Sequence, residues 1–181
     1  MSCKQKTVYI GELCDTISES YKRNHSQVIL INTSDVLQGK ILNHVPVKNE
    51  NLRGQFKKTF RKGDILYSEI RPANKRYAYV DFDSTDNYIA STKLMVIRPR
   101  TDRVLPMFLY HFLTSSDTIN ELQHLAETRS GTFPQITFSG EIAPLRMELP
   151  DLPTQYRIAS ILSALDEKIE INNKINDNLA A

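Results

Sequence analysis

Little in this sequence points to catalysis, export or a membrane. Cysteine occurs twice, at Cys3 and Cys14, in no CxxC or Cys/His grouping. Neither a disulfide framework nor a structural zinc site is supported, and a reducing cytoplasm fits best. The opening residues, MSCKQKTVYIGEL, lack an apolar h-region, and no run of about 18 apolar residues follows anywhere, which argues against export and membrane insertion. Six glycines and eight prolines in 181 residues exclude a low-complexity chain. There is no glycine-rich loop after a first strand and no Asn/Asp-Pro-Pro-aromatic motif, so any methyl transfer needs a partner. His25, His44, His111 and His124 are scattered without the spacing of metal ligands. Pro150-Asp151 followed by Asp166-Glu167-Lys168 imitates the carboxylate and lysine set of Mg²⁺-dependent nucleases. Those nucleases hold the set on a sheet, whereas the second half of this one falls in a segment of helical period, where charges flanking an apolar stripe are solvated.

What is present amounts to one sizeable domain and an appendage: residues 1–150 and 151–181. The net charge of +2 hides an asymmetry, because 20 Lys and Arg face 16 Asp and Glu up to Pro150, and 3 face 5 beyond it. From Arg53 to Arg76, eight cationic residues face only Asp64 and Glu69. Such a window is either a solvated face or a phosphate-binding surface.

Along the chain, Val28, Ile29, Leu30 and Ile31 read as a buried strand, with turns at Ser34-Asp35 and Gly39. DILYSEI (64–70), the break at Pro72-Ala73-Asn74 and Arg76–Val80 read as a hairpin. A further strand is expected over Tyr88–Arg98, stopped by Pro99. The period then becomes helical: Leu105, Phe108, Leu109, Phe112 and Leu113 mark one helix, and Ile119, Leu122 and Leu125 a second, capped near Ser115-Ser116-Asp117. Residues 127–139 are expected as a loop and 142–149 as a returning strand.

After Pro153, with Thr154 as the expected N-cap, Ile158, Ile161, Leu162, Leu165, Ile169, Ile171, Ile175 and Leu179 predict one helix of roughly seven turns. The stripe covers about half the circumference, so the helix needs more than one neighbour. Asn172 and Asn176 lie inside it, where polar residues fix register and partner number. The simpler reading is a terminal helix folded on its own core.

Three segments resemble the specificity subunits of Type I restriction-modification systems: GDILYSEIRP (63–72); YIASTKLMVIRP (88–99) with FLYHFLTSS (108–116) and RSGTFPQIT (129–137); and LPDLPTQYRIASILSALDEKIEINNKINDNL (149–179). The third is similar to the conserved helix that closes each half of these subunits. It departs from the family's Pro-Pro-Leu run and acidic residue before Gln155, but keeps the Gln155 and Arg157-Ile158-Ala159 pattern. The resemblance implies an α/β (α+β) target-recognition domain with a mixed or antiparallel sheet and packed helices, followed by a long C-terminal coiled-coil helix. It implies no catalysis and no cofactor. The implied partners are double-stranded DNA, methyltransferase subunits and, in systems that carry one, the restriction subunit. Members usually hold two recognition domains and two such helices, and this chain shows one of each. A second copy is the simplest source of the other half, giving a homodimer; a fragment or engineered half is the alternative, since the chain stops while the helix is still running.

DNA reading needs cations for phosphates and forked or amide groups for base edges. Lys57, Lys58, Arg61 and Lys62 form one polar run suited to phosphates. Arg71, Asn74, Lys75 and Arg76 sit at a tip between two strands, and Arg129, Ser130, Thr132 and Gln135 make a second polar loop. Ile158, Leu162, Leu165, Ile169, Asn172, Ile175 and Leu179 are the expected assembly positions. A free-standing nuclease or methyltransferase fragment, and a coiled-coil adaptor whose basic patch is incidental, are the rival readings.

Overall fold

Apolar runs without strict alternation mark strands buried on both faces, and the computed structural model, which describes residues 6–22 and 24–179, shows where they go. The strands are β1 (Lys6–Tyr9), β2 (Cys14–Ile17), β3 (Gln27–Ile31), β4 (Val36–Leu37), β5 (Lys40–Ile41), β6 (Val47–Lys48), β7 (Phe56–Lys58), β8 (Ile65–Ser68), β9 (Tyr77–Tyr79), β10 (Tyr88–Ser91) and β11 (Leu94–Pro99). Helices α1 (Pro106–Thr114) and α2 (Ser116–Arg129), strand β12 (Arg146–Leu149) and helix α3 (Leu152–Leu179) complete the chain.

Two four-stranded sheets form the body, ordered β6-β3-β10-β7 and β2-β11-β8-β9. The first is mixed, with β3 and β10 parallel, and the second is antiparallel throughout. In the second, side chains alternate between two cores. Leu66, Leu94 and Val96 pack toward the first sheet with Ile29, Ile31, Phe60 and Tyr88, while Ile65, Tyr67, Met95 and Ile97 pack toward α1 and α2 with Leu109, Leu113 and Leu122. The layers are therefore sheet, sheet and helices, an α+β arrangement with the long C-terminal helix the sequence predicts.

Sequence and structure differ at four element boundaries. The single strand expected over Tyr88–Arg98 is two strands in two different sheets, because the chain crosses between layers at the turn of Thr92 and Lys93. The expected loop at 127–139 begins later, since α2 continues to Arg129, and Phe138–Ile142 form a π-helical turn. The returning strand is shorter, Arg146–Leu149, and pairs with β1. Finally, Asp151 rather than Thr154 caps α3: its Oδ1 accepts the Thr154 N–H at 2.9 Å, a carboxylate at the positive end of the helix. Cys3 lies outside the described residues, and Cys14 is buried as a free thiol whose pKa burial pushes up to about 12.

Helix α3 turns an unexpected face to the body. Gln155 and Ala159 are buried, with the Gln155 amide donating to Pro150 O and accepting from the Leu105 N–H. Further along the same face, Ser163 meets His111, and Glu170 pairs with Lys40 at 2.6 Å. Ile161, Leu165, Ile169, Ile171 and Ile175 stay exposed. The helix docks by its small and polar residues and leaves its apolar stripe outside.

Candidate nucleic-acid interface

The two polar loops that the sequence singles out meet at the C-terminal end of β8. The Arg71 N–H donates to Pro134 O at 3.1 Å, Ile70 and Gln135 form an isolated antiparallel bridge, and the Ala73 N–H donates to Gln123 Oε1 at 3.0 Å. Pro72–Asn74 is a short 3₁₀ turn, flanked by Arg71 at φ 45° and Lys75 at φ 52°. Left-handed backbone costs an L-residue roughly 1–2 kcal/mol. Two such positions on either side of one turn, both occupied by basic residues rather than glycine, are the kind of local cost that concentrates at functional sites. Arg71, Asn74 and Lys75 are exposed. Arg76 is partly buried, its guanidinium donating to Ser34 O at 3.0 Å and Val36 O at 3.4 Å, so it braces the tip against the β3–β4 connection.

The second loop is stapled at its base. Arg129 pairs with Glu141 at 3.0 Å, and the other Glu141 oxygen accepts from both the backbone and hydroxyl of Thr137. Ser130 Oγ accepts the Phe133 N–H at 3.3 Å, and Thr132 and Phe133 are exposed at the loop's crest. Gln135 Oε1 accepts from Lys93 Nζ at 3.2 Å. Lys93 is absent from the residues the sequence picks out. Its available signal is the polar Ser91-Thr92-Lys93 inside an otherwise apolar run, which marks the crossing between sheets.

The basic run divides. Lys57 is exposed on β7. Lys58 turns inward, its ammonium donating to Thr92 O at 2.9 Å and Leu94 O at 2.8 Å, and burial lowers its pKa. Arg61 and Lys62 lie at the opposite end of β8 from the two loops, about 13 Å of strand away. There Lys62 pairs with Asp83 at 2.8 Å, and Arg61 lines an open cleft with Glu19, Lys22, Asp86 and Arg98. The wall of that cleft is set by Arg98, which forks onto the buried Asp64 carboxylate at 2.8 and 2.7 Å.

The nuclease-like residues do not converge. Asp151 caps α3, and Asp166 lies fifteen positions further along the same helix, roughly 22 Å away at 1.5 Å per residue, so one Mg²⁺ cannot bridge them. Among the described residues no group of three or more His, Cys, Asp or Glu could hold a metal ion, and no described helix is long and apolar enough to cross a membrane. On α3, Ile158, Leu162, Leu165, Ile169, Asn172, Ile175 and Leu179 are all exposed.

A family model described as the Type I restriction modification DNA specificity domain matches residues 4–181. The chain is 48% identical over 176 residues to a specificity subunit of the Type I restriction enzyme HindI from Haemophilus influenzae; the match covers 96% of this chain and 38% of that one. The HsdS subunit of Thermoanaerobacter tengcongensis superposes with a TM-score of 0.78 at 26% identity, over 94% of this chain and 44% of that chain. A solved structure concerned with assembly and conformational transition of a type I R-M system gives the same TM-score and coverage. The S subunit of a Type I system from M. genitalium shares the fold at a TM-score of 0.59 and 13% identity. The chain thus spans less than half the length of these relatives.

Proposed function

From the premise that the chain belongs to the Type I restriction modification DNA specificity family, we propose that residues 1–150 read one half of a bipartite double-stranded DNA target and that residues 151–181 form the assembly arm. The observation carrying this reading is the junction of the 71–76 tip and the 130–135 loop. Arg71, Asn74, Lys75 and Thr132 stand exposed there beside Gln135 on a braced scaffold. Forked and amide groups of this kind discriminate bases in the major groove, and exposed Lys57, Arg61 and Lys62 supply charge for phosphates away from that junction. The chain does no chemistry of its own and acts in the cytoplasm, where methyltransferase subunits, and the restriction subunit where one exists, supply the catalysis.

The apolar stripe of α3 supports the second half of the proposal. It faces away from the chain's own body, and a second copy laid antiparallel along it restores a two-domain, twofold layout. The phosphate assignment is tested by the salt dependence of binding to duplex DNA. Changing Lys57, Arg61 and Lys62 to Ala lowers the slope of log affinity against log salt by roughly 0.9 for each phosphate no longer neutralised. An unchanged slope shows that these three cations are a solvated face.

A further inference from the structure

Lys93 occupies the turn between β10 and β11, with its side chain half exposed. Its ammonium donates to Gln135 Oε1 at 3.2 Å and to Glu69 Oε2 at 3.3 Å. An ammonium carries hydrogens and no lone pair, so the end of the Gln135 amide that faces it must be the oxygen. The amide nitrogen is thereby turned away from Lys93.

The arrangement is fixed on both sides. The Glu69 N–H donates to Lys93 O at 3.0 Å and the Ile136 N–H to Glu69 O at 2.8 Å, tying the turn to β8 and to the 130–135 loop. On the other side the Thr92 N–H donates to Gln55 O at 2.7 Å, and the Lys58 ammonium holds the Thr92 and Leu94 carbonyls. Lys58 is committed to shaping this turn, and the turn presents Lys93 to Gln135.

A glutamine amide reads adenine bidentately by accepting from N6–H and donating to N7. With its oxygen turned toward Lys93, which takes one of its two lone pairs, Gln135 leads with its N–H donors on the far side. Those find an acceptor on guanine, adenine and thymine and meet a donor on cytosine. We propose that Lys93 is a positioning residue for base reading: it turns the Gln135 amide so that its N–H donors lead, giving a base position that disfavours cytosine and admits the other three. This rests on the reading of the 130–135 loop as a base reader.

Selection of bound sequences from a randomised duplex library, using the full chain, separates the two ideas. Gln135→Ala identifies the base position at which preference changes. In the wild type that position excludes cytosine by about tenfold, with less than about threefold difference among the other three bases. Lys93→Met frees the amide oxygen and raises adenine there by about tenfold over guanine and thymine, while Lys93→Arg, still a pure donor, keeps the wild-type pattern. Wild-type preference in Lys93→Met, or weakening spread evenly over all sequences, overturns the positioning role. If Gln135→Ala changes no position, the loop is not a base reader and the underlying reading fails instead.

Discussion

Individual side chains on this surface divide into those that touch solvent and those that hold others in place. Arg76 and Lys58 belong to the second group, their donors committed to backbone carbonyls, whereas Asn74 and Lys75 remain exposed. Lys75 combines an unfavourable left-handed backbone with a side chain directed at solvent. Replacing it with Gly relieves roughly 1 kcal/mol of backbone cost, which the extra freedom of the unfolded chain offsets by a similar amount. Lys75→Gly therefore leaves stability in urea within about 0.5 kcal/mol of the wild type while weakening DNA binding. A variant that binds DNA as the wild type does removes Lys75 from the interface. The split between bracing and exposed cations was not legible in the sequence, where Lys57 and Lys58 are equivalent neighbours. Only the crossing of the chain between two sheets brings the Thr92 and Leu94 carbonyls within reach of one of them.

Elements whose partners lie nearby in sequence were the most legible. The β8–β9 hairpin, the α1–α2 pair with Ser115 accepting the Thr118 N–H, and the long terminal helix all follow from local period and capping. The break between β10 and β11 was missed because an apolar run looks the same whether it serves one sheet or two. The docking face of α3 was missed for a related reason: Gln155, Ala159, Ser163 and Glu170 carry no apolar signal, yet they are what meets α1 and Lys40. This polar seam makes the helix responsive to pH. Burial pushes the His111 imidazole below its ordinary range, with Asp166 and a backbone hydrogen bond at Ala159 pulling the other way. A histidine depressed in the folded state binds its proton more readily when the seam opens. Its contribution is thus full above about pH 6.5 and is lost progressively as pH falls below that toward the depressed value. Hydrogen exchange across residues 155–170, corrected for intrinsic rates, shows severalfold lower protection at pH 5 than at pH 7.5. His111→Gln flattens the difference; equal protection of the wild type at both values contradicts a histidine-controlled seam.

At the scale of the whole molecule, a helix of 28 residues, about 42 Å long, turns its apolar stripe outward, and the proposed pairing lays a second copy along it. Leu162→Asp with Leu165→Asp places two charges in that stripe and yields monomers in light scattering; a double variant of unchanged mass rules out pairing through this face. Pairing of two copies makes a strong demand on the DNA, because identical halves related by a twofold axis must read identical half-sites in opposite orientation. The central claim, that this chain reads sequence through the joined 71–76 and 130–135 loops, is tested most directly by mapping methylated sites in a genome that expresses it with its methyltransferase partner. The wild type is expected to give an interrupted palindrome, and Asn74→Ala and Gln135→Ala each to relax preference at one base position in both half-sites. A consensus identical in the wild type and both variants would contradict reading by these loops, and an asymmetric wild-type consensus would contradict the symmetric pair.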